Sequence, residues 1–431
     1  MPDEGIEVLV LVQAPAGLTP EGPLQRVILV PRSGNAEPIR FGFQARDAGL
    51  HRLHVTAWVG GTFLGELALE VSVERGASFV EQAPMEASLA DVVARRGEVT
   101  LLVRSDGRQY VFQLLSDEYL FEPVLAQSLT AEPAVAVERA VATLKQMAQG
   151  RGPYPAGTAR RWMRETGVGL WNDIVPTVIK EQFWQLRGQI SSLSVATTHD
   201  VLPWELLYPL RLGDDRGFLI EQFPVLRRVF GQQRSRRASL DGCSYVLSER
   251  APDNARQEID AVAAILGRGP TVHALDNLLD LIDSGKCGSL HFACHNSFSL
   301  NDGGSSIAMS GGTFVPTLLN SAVVQRSLAP RNPLVFLNAC RSAGAVPEYS
   351  RMMGWAQQFM AAGAGAFVGT LWPIRSETAS RFAETFYQQL RAGDPLGAAA
   401  HKARLTASGQ DEIDPTWLAY TVYGDPDATA Q

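Results

Sequence analysis

The strongest constraint in this sequence is a regular alternation that begins at Cys243. Short, almost wholly apolar runs at Ser244–Leu247, 271–275, 289–293, 334–338 and 366–371 are separated by segments of helical spacing at 254–266, 278–283, 352–362 and 377–391, and a last helix is expected over 396–407. A strand that is apolar on both faces must be covered on both. Alternation with helices achieves that in a parallel sheet, so this region is expected to be α/β. Residues 296–332 interrupt the pattern. They are rich in Gly, Ser and Asn and read as an irregular, mobile insertion. No repeat of 20–50 residues is present, which excludes a solenoid.

The N-terminal part has a different period. Residues 8–12, 26–30, 39–43, 50–59 and 63–73 are rich in β-branched and aromatic side chains, alternate apolar with polar, and are separated by turn signals such as Gly60-Gly61. They predict a small antiparallel sandwich over residues 1–78. Its His51 and His54 lack a nearby cysteine or carboxylate cluster and read as ordinary strand histidines. Between the two regions the spacing predicts a hairpin (99–103 with 109–115), helices over 133–149 and 169–187, and a strand over 190–196. Pro203-Trp204-Glu205 reads as a tryptophan packed over a turn. Five arginines between Arg227 and Arg237 read as a solvated linker.

Composition removes several functional classes. With 431 residues the chain is long enough for two or three domains. A net charge of −7 argues against nucleic acid or an anionic membrane as the main partner. The longest apolar run, from Phe359 to Trp372, carries three glycines and falls short of the about 18 residues of a membrane span. The N-terminus lacks the basic flank of a signal peptide. Four cysteines, at 243, 287, 294 and 340, contain no Cys-x-x-Cys pair. The chain is therefore expected to be soluble and cytoplasmic, with free thiols. Arginine far outnumbers lysine, which points to a GC-rich bacterial genome.

In open parallel sheets, ligands and reactive groups gather at the carboxyl ends of strands. Two runs end on reactive side chains: Ser289-Leu-His-Phe-Ala-Cys-His295 and Leu334-Val-Phe-Leu-Asn-Ala-Cys340. A thiol needs a neighbouring imidazole or cation to become an effective thiolate, and the same imidazole can protonate a departing amine. Histidine precedes cysteine by 45 residues. Caspase-type peptidases have that order at about 50 residues, whereas papain-like enzymes reverse it. His291 and His295 share a strand face, and His291 reads as a buried, hydrogen-bonded residue. Cys294 faces the other way, and Cys243, Cys287 and Cys294 read as small core residues. A zinc site using His291, Cys294, His295 and Cys340 would need Cys294 to turn against the strand's alternation, so no metal is expected.

His291-Phe-Ala-Cys-His295 and Leu337-Asn-Ala-Cys340-Arg-Ser-Ala-Gly resemble the CHAT family of caspase-like peptidases in clan CD, relatives of separases and caspases. The Leu-Pro-Trp-Glu-Leu-Leu segment at 202–207, Gly369-Thr-Leu-Trp-Pro, and Trp417 with Tyr423-Gly-Asp-Pro426 agree. The resemblance implies a caspase-like parallel-sheet sandwich in two parts: a non-catalytic half over 79–240 and a catalytic half over 241–431. It implies His295 as the catalytic imidazole and Cys340 as the nucleophile. Backbone N–H groups of Asn296 and Cys340 would form the oxyanion hole. The family usually has glycine where Asn296 stands, and asparagine tolerates left-handed backbone better than most residues.

The resemblance also implies a pocket for the residue before the scissile bond, formed by Asn338 and the segment Trp372, Arg375, Ser376 and Glu377. Basic-specific relatives carry aspartate at the positions aligned with Asn338 and Ser376, so an uncharged substrate residue is expected. The implied activity is endopeptidase cleavage of a protein substrate after a trigger, with no cofactor. Relatives of this kind serve in bacterial antiviral defence or regulated cell death. The N-terminal module would then bind an activating or recruiting protein partner. The competing reading is an inactive caspase-like scaffold for protein–protein interaction.

Overall fold

A computed structural model describes residues 5–15, 17–74, 95–105, 110–126, 133–197, 202–229, 234–249, 251–299, 304–339, 349–372, 374–409 and 413–430. Chain contacts divide it into two compact units, residues 1–127 with 181–191, and residues 128–180 with 192–431.

In the first unit, a four-stranded antiparallel sheet has the order Gln25–Val30, Ile6–Gln13, Gly49–Val59, Thr62–Val73. A two-stranded ribbon, Leu18–Pro20 with Phe43–Ala45, packs on one face around Val12, Leu18 and Leu53. The expected strand over 39–43 thus starts only at Phe43. The long hairpin turns at Gly60-Gly61, with Gly60 at φ 55°, the left-handed region where glycine carries no Cβ penalty. His51 Nε2 meets the Asp47 carbonyl at 2.9 Å, and His54 Nδ1 meets Glu66 at 2.7 Å. Both histidines are satisfied strand residues. An antiparallel meander follows, Glu98–Ser105, Tyr110–Leu115 and Val124–Ala126. It is bonded to the sandwich within the unit: Thr62 Oγ1 donates to Glu98 at 2.6 Å and Thr100 Oγ1 to the Gly61 carbonyl at 2.7 Å.

The second unit is built on strands in the order Thr271–Val272, Ser244–Leu247, Leu290–Cys294, Leu334–Ala339, Ala366–Thr370, Tyr420–Gly424, Val225–Arg228, Ser192–Thr197. Neighbours are parallel except Tyr420–Gly424 against Ala366–Thr370, which is antiparallel. Helices Ala255–Leu266 and Ser376–Arg391 pack on one another and cover one face. Helix Tyr349–Ala361 covers the other, where Trp355 and Phe359 join Phe292, Cys294, Val335 and Leu337 in the core. The α/β expectation holds, and so does the burial of Cys243, Cys287 and Cys294. Cys294 lies in the core opposite the face of His291.

Local differences from the sequence reading have physical causes. The helix expected over 169–187 is two helices, Ala156–Ile174 and Thr177–Leu186, because Pro176 disfavours helical backbone at Val175. The strand expected over 271–275 stops at Val272, and Leu275 opens helix Leu275–Asp283. The insertion after Asn296 is ordered where it is described. Strands Ser297–Ser299, Gly304–Met309 and Gly312–Phe314 form an antiparallel ribbon, followed by helix Asn320–Gln325. Ile307, Met309 and Phe314 are buried in the same core as Trp355. The signal was weak because Ser310, Gly311, Gly312 and Thr313 separate Phe314 from the short alternation at Ile307 and Met309.

The arginine run is not a solvated linker where it is described. Arg227 and Arg228 are buried on strand Val225–Arg228, and Arg234 pairs with Asp425. Arg227 Nε donates to Glu205 at 2.9 Å, its Nη2 donates to the other Glu205 oxygen, and it also reaches the Leu202 carbonyl at 3.1 Å. Burial pushes the Glu205 carboxyl up, but Arg227 and then Arg404 more than offset this and hold it below the usual range. Trp204 is buried over a 3₁₀ turn, as the Pro-Trp-Glu reading expected. Arg404 donates to the carbonyls of Val225 and Tyr420, tying helix Leu396–Ser408 to the two central strands.

Candidate active site

Strand order reverses around Ser244–Leu247: the chain first steps outward to Thr271–Val272, then returns to Leu290–Cys294 on the other side. In parallel α/β sheets such a reversal is where binding sites form, at the carboxyl ends of the two inner strands. His295 follows Leu290–Cys294 at this point. It is half-buried, and its backbone N–H faces Ser248 Oγ, just past the neighbouring strand, at 3.4 Å. Asn296 is buried, and its Oδ1 accepts from the Trp355 indole at 3.4 Å. Among the described non-glycine residues only Arg326 and Asn332 have positive φ. Asn296 therefore does not use the left-handed conformation that asparagine tolerates.

Strands Leu290–Cys294 and Leu334–Ala339 are neighbours, with Ala293 opposite Asn338 and Cys294 opposite Ala339. Cys340 lies outside the described residues, as does its share of an oxyanion hole. The next strand, Ala366–Thr370, sends Trp372, Arg375, Ser376 and Glu377 from the same end of the sheet. Trp372 is buried, and its indole N–H has no hydrogen-bond partner among the described residues. The Arg375 guanidinium donates to the carbonyls of Ala148 and Met147 at 3.1 and 3.0 Å, completing the end of helix Pro133–Ala148. Ser376 begins helix Ser376–Arg391, and Glu377 is exposed in its first turn, where a carboxylate suits the helix dipole.

Beneath these strand ends lies a buried polar cluster. Its central member, Glu258, escaped the sequence reading. Glu258 Oε1 faces His291 Nε2 at 2.9 Å and accepts from Asn338 Nδ2 at 2.7 Å. His291 Nδ1 meets the Tyr387 hydroxyl at 3.1 Å, and the Tyr420 hydroxyl donates to Asn338 Oδ1 at 3.0 Å. Burial, then the negative charge that Cys243, Tyr245, Glu258 and Tyr420 can carry, push the Tyr387 hydroxyl well above its usual range. It keeps its proton and can donate to His291 Nδ1, with Nε2–H then donating to Glu258, a tautomer assigned from its partners. His291 is the buried, hydrogen-bonded residue expected of it. The signal for Glu258 was available: it sits with Ala255, Ile259, Val262 and Leu266 on the apolar face of its helix.

Chemically, the described part of these strand ends offers an imidazole after one strand and the end of the adjacent strand one residue before a cysteine. A family model for the CHAT domain matches residues 165–425, more than half of the chain. The chain belongs to the CHAT domain family.

Other comparisons are more distant. A search of curated proteins gives no match. The solved structure of the Arg-specific cysteine proteinase gingipain R is 11% identical, covers 70% of this chain and 75% of its own, and has a TM-score of 0.40. The separase–securin complex of Saccharomyces cerevisiae is 11% identical over 76% of this chain, with a TM-score of 0.47. This CHAT chain covers 30% of that separase chain.

Proposed function

We propose that this CHAT protein is a cysteine endopeptidase with His295 as its imidazole and Cys340 as its nucleophile. One observation carries the reading: Cys294 and Ala339 are register partners on adjacent parallel strands, and the next residues in sequence are His295 and Cys340. The Cys340 thiolate attacks the scissile carbonyl to give an acyl-enzyme. His295, protonated as the thiol ionises, passes that proton to the leaving amine, and water then releases the acid and restores the thiol. Backbone N–H groups of Asn296 and Cys340 stabilise the developing oxyanion. The Asn296 to Trp355 bond supports this by steadying the main chain after His295.

The substrate is a protein, with an uncharged residue before the cleaved bond, read by Asn338 and the segment from Trp372 to Glu377. The sandwich recruits the substrate or an activating protein. By resemblance, the setting is the cytoplasm of a bacterium, in antiviral defence or regulated cell death. A second reading, an inactive interaction scaffold, is favoured by Asn296 standing where the family usually has glycine, without a left-handed backbone. Peptide cleavage by wild type, Cys340→Ala and His295→Ala separates the two. Loss in the first variant and a fall of orders of magnitude in the second, with folding intact, are expected; full activity in Cys340→Ala would end the endopeptidase reading.

A further inference from the structure

We propose that Glu258 is a positioning residue, whose carboxyl group ties His291 to Asn338 and so aligns the strand ends that carry His295 and lead to Cys340. The proposal rests on the peptidase reading and adds a residue that contacts neither reacting group. Its basis is geometric. His291 lies four residues before His295, and Asn338 two before Cys340, on neighbouring strands. Their register partners are Phe336 and Ala293, so the two side chains form a diagonal across the pair. Both end on the same oxygen, Glu258 Oε1, at 2.9 and 2.7 Å. A shift of either strand along its axis would break one of these bonds.

Stability alone is a weak reason to keep this arrangement. Glu258 is almost fully buried, and its partners are an imidazole and an amide, with no lysine or arginine among them. Removing a carboxyl group from water is costly, and apolar replacements of buried ionic groups are often neutral or stabilising. The outer bonds are completed as well. Tyr387 fixes the His291 tautomer, and Tyr420 holds the far side of the Asn338 amide. A fully satisfied buried network is rigid and specifies one geometry.

The test uses the full chain and iodoacetamide, so it needs no identified substrate. Cys340 alkylation is followed against pH in wild type, His295→Ala, Glu258→Leu, Asn338→Asp and the Glu258→Gln/Asn338→Asp double variant, with Tm recorded for each. In wild type the thiolate inflection is expected to lie below that of His295→Ala. Glu258→Leu removes the shared acceptor; it should move the inflection toward that of His295→Ala and slow alkylation at pH 6.5 by about tenfold, the lower end of what losing an outer-shell partner costs at metal centres. Asn338→Asp sets two carboxyl groups together and should do at least as much. The double variant should recover most of the loss, because the new amide donates to Asp while its oxygen still accepts from His291. A purely structural role would lower Tm and leave the inflection of the folded protein in place. The proposal is overturned by a wild-type profile in folded Glu258→Leu, or by a double variant no better than Asn338→Asp. Should these variants not fold, Tyr387→Phe removes a single outer bond, and an unmoved inflection there overturns it too. If His295→Ala itself leaves the profile unchanged, the dyad reading fails first and this proposal falls with it.

Discussion

Cys294 and Ala339 face one another across two parallel strands, each the last residue of its strand. The register therefore sets the residue before His295 level with the residue before Cys340. Cys294 itself points into the core with Trp355 and Phe359, away from the face that holds His291. Thiol chemistry at this end of the sheet is accordingly expected from Cys340 alone.

Alkylation should report this directly. Burial pushes the Cys243 thiol up and the Cys287 thiol up to about 12, and Cys294 is fully buried. At pH 8 a thiol of pKa 12 is ionised to on the order of one part in ten thousand. Brief iodoacetamide treatment of the folded protein followed by peptide mass mapping should find a single modified cysteine, Cys340. Labelling of Cys243 or Cys287 at a comparable rate would contradict the burial described above.

The Glu205 to Arg227 pair makes a prediction about stability and pH. Arg227→Met leaves Glu205 buried beside a lost partner, which should cost about 3–5 kcal/mol. Glu205 is held below its ordinary value of 4.5, so its folded form binds protons less readily than its unfolded form. Its contribution is complete above about pH 4.5 and declines as pH falls through the folded value. Thermal unfolding of wild type and Glu205→Gln from pH 7 to pH 3 should show a Tm gap that is constant at first and narrows below pH 4.5. A gap that widens on acidification would refute the assignment.

Substrate preference should follow what holds each side chain of the expected pocket. Arg375 is committed to the Met147 and Ala148 carbonyls, and the Asn338 amide to Glu258 and Tyr420. A fluorogenic peptide panel is expected to favour uncharged residues before the scissile bond. Arg375→Ala should cost about 1 kcal/mol of stability through loss of the helix-end bonds, seen as a lower Tm, and leave that preference unchanged. Strong selection for arginine or lysine would sink the idea, and its disappearance in Glu377→Gln would name the responsible carboxylate.

Recruitment by the sandwich is better tested by surface change than by deletion. Glu98 and Thr100 bond to Thr62 and Gly61, so removing residues 1–74 should lower Tm by stripping buried partners from the meander. Leu29 is 58% exposed on edge strand Gln25–Val30. Leu29→Glu should leave Tm and short-peptide cleavage as they were and slow cleavage of the native protein substrate several-fold. Equal rates on the native substrate would move recruitment elsewhere.

Much of this protein was legible before any coordinates. Near-continuous apolar strands between helices can be buried only in a sheet covered on both faces, and that condition alone defines the α/β unit. Period-two alternation did the same for the sandwich, and the strand ends just before His295 and Cys340 were legible from where the apolar runs stop. Strand Tyr420–Gly424 was not legible, because its antiparallel place between Ala366–Thr370 and Val225–Arg228 depends on which strand edges lie open after the rest has folded. Pairing was equally hidden. Charge in a sequence reads as exposure, yet Arg227 finds Glu205 22 residues away, and Glu258 finds Asn338 80 residues away. Periodicity records which way a side chain points. The tertiary structure decides what it meets there, because a buried charge is tolerable only where distant segments deliver its partners.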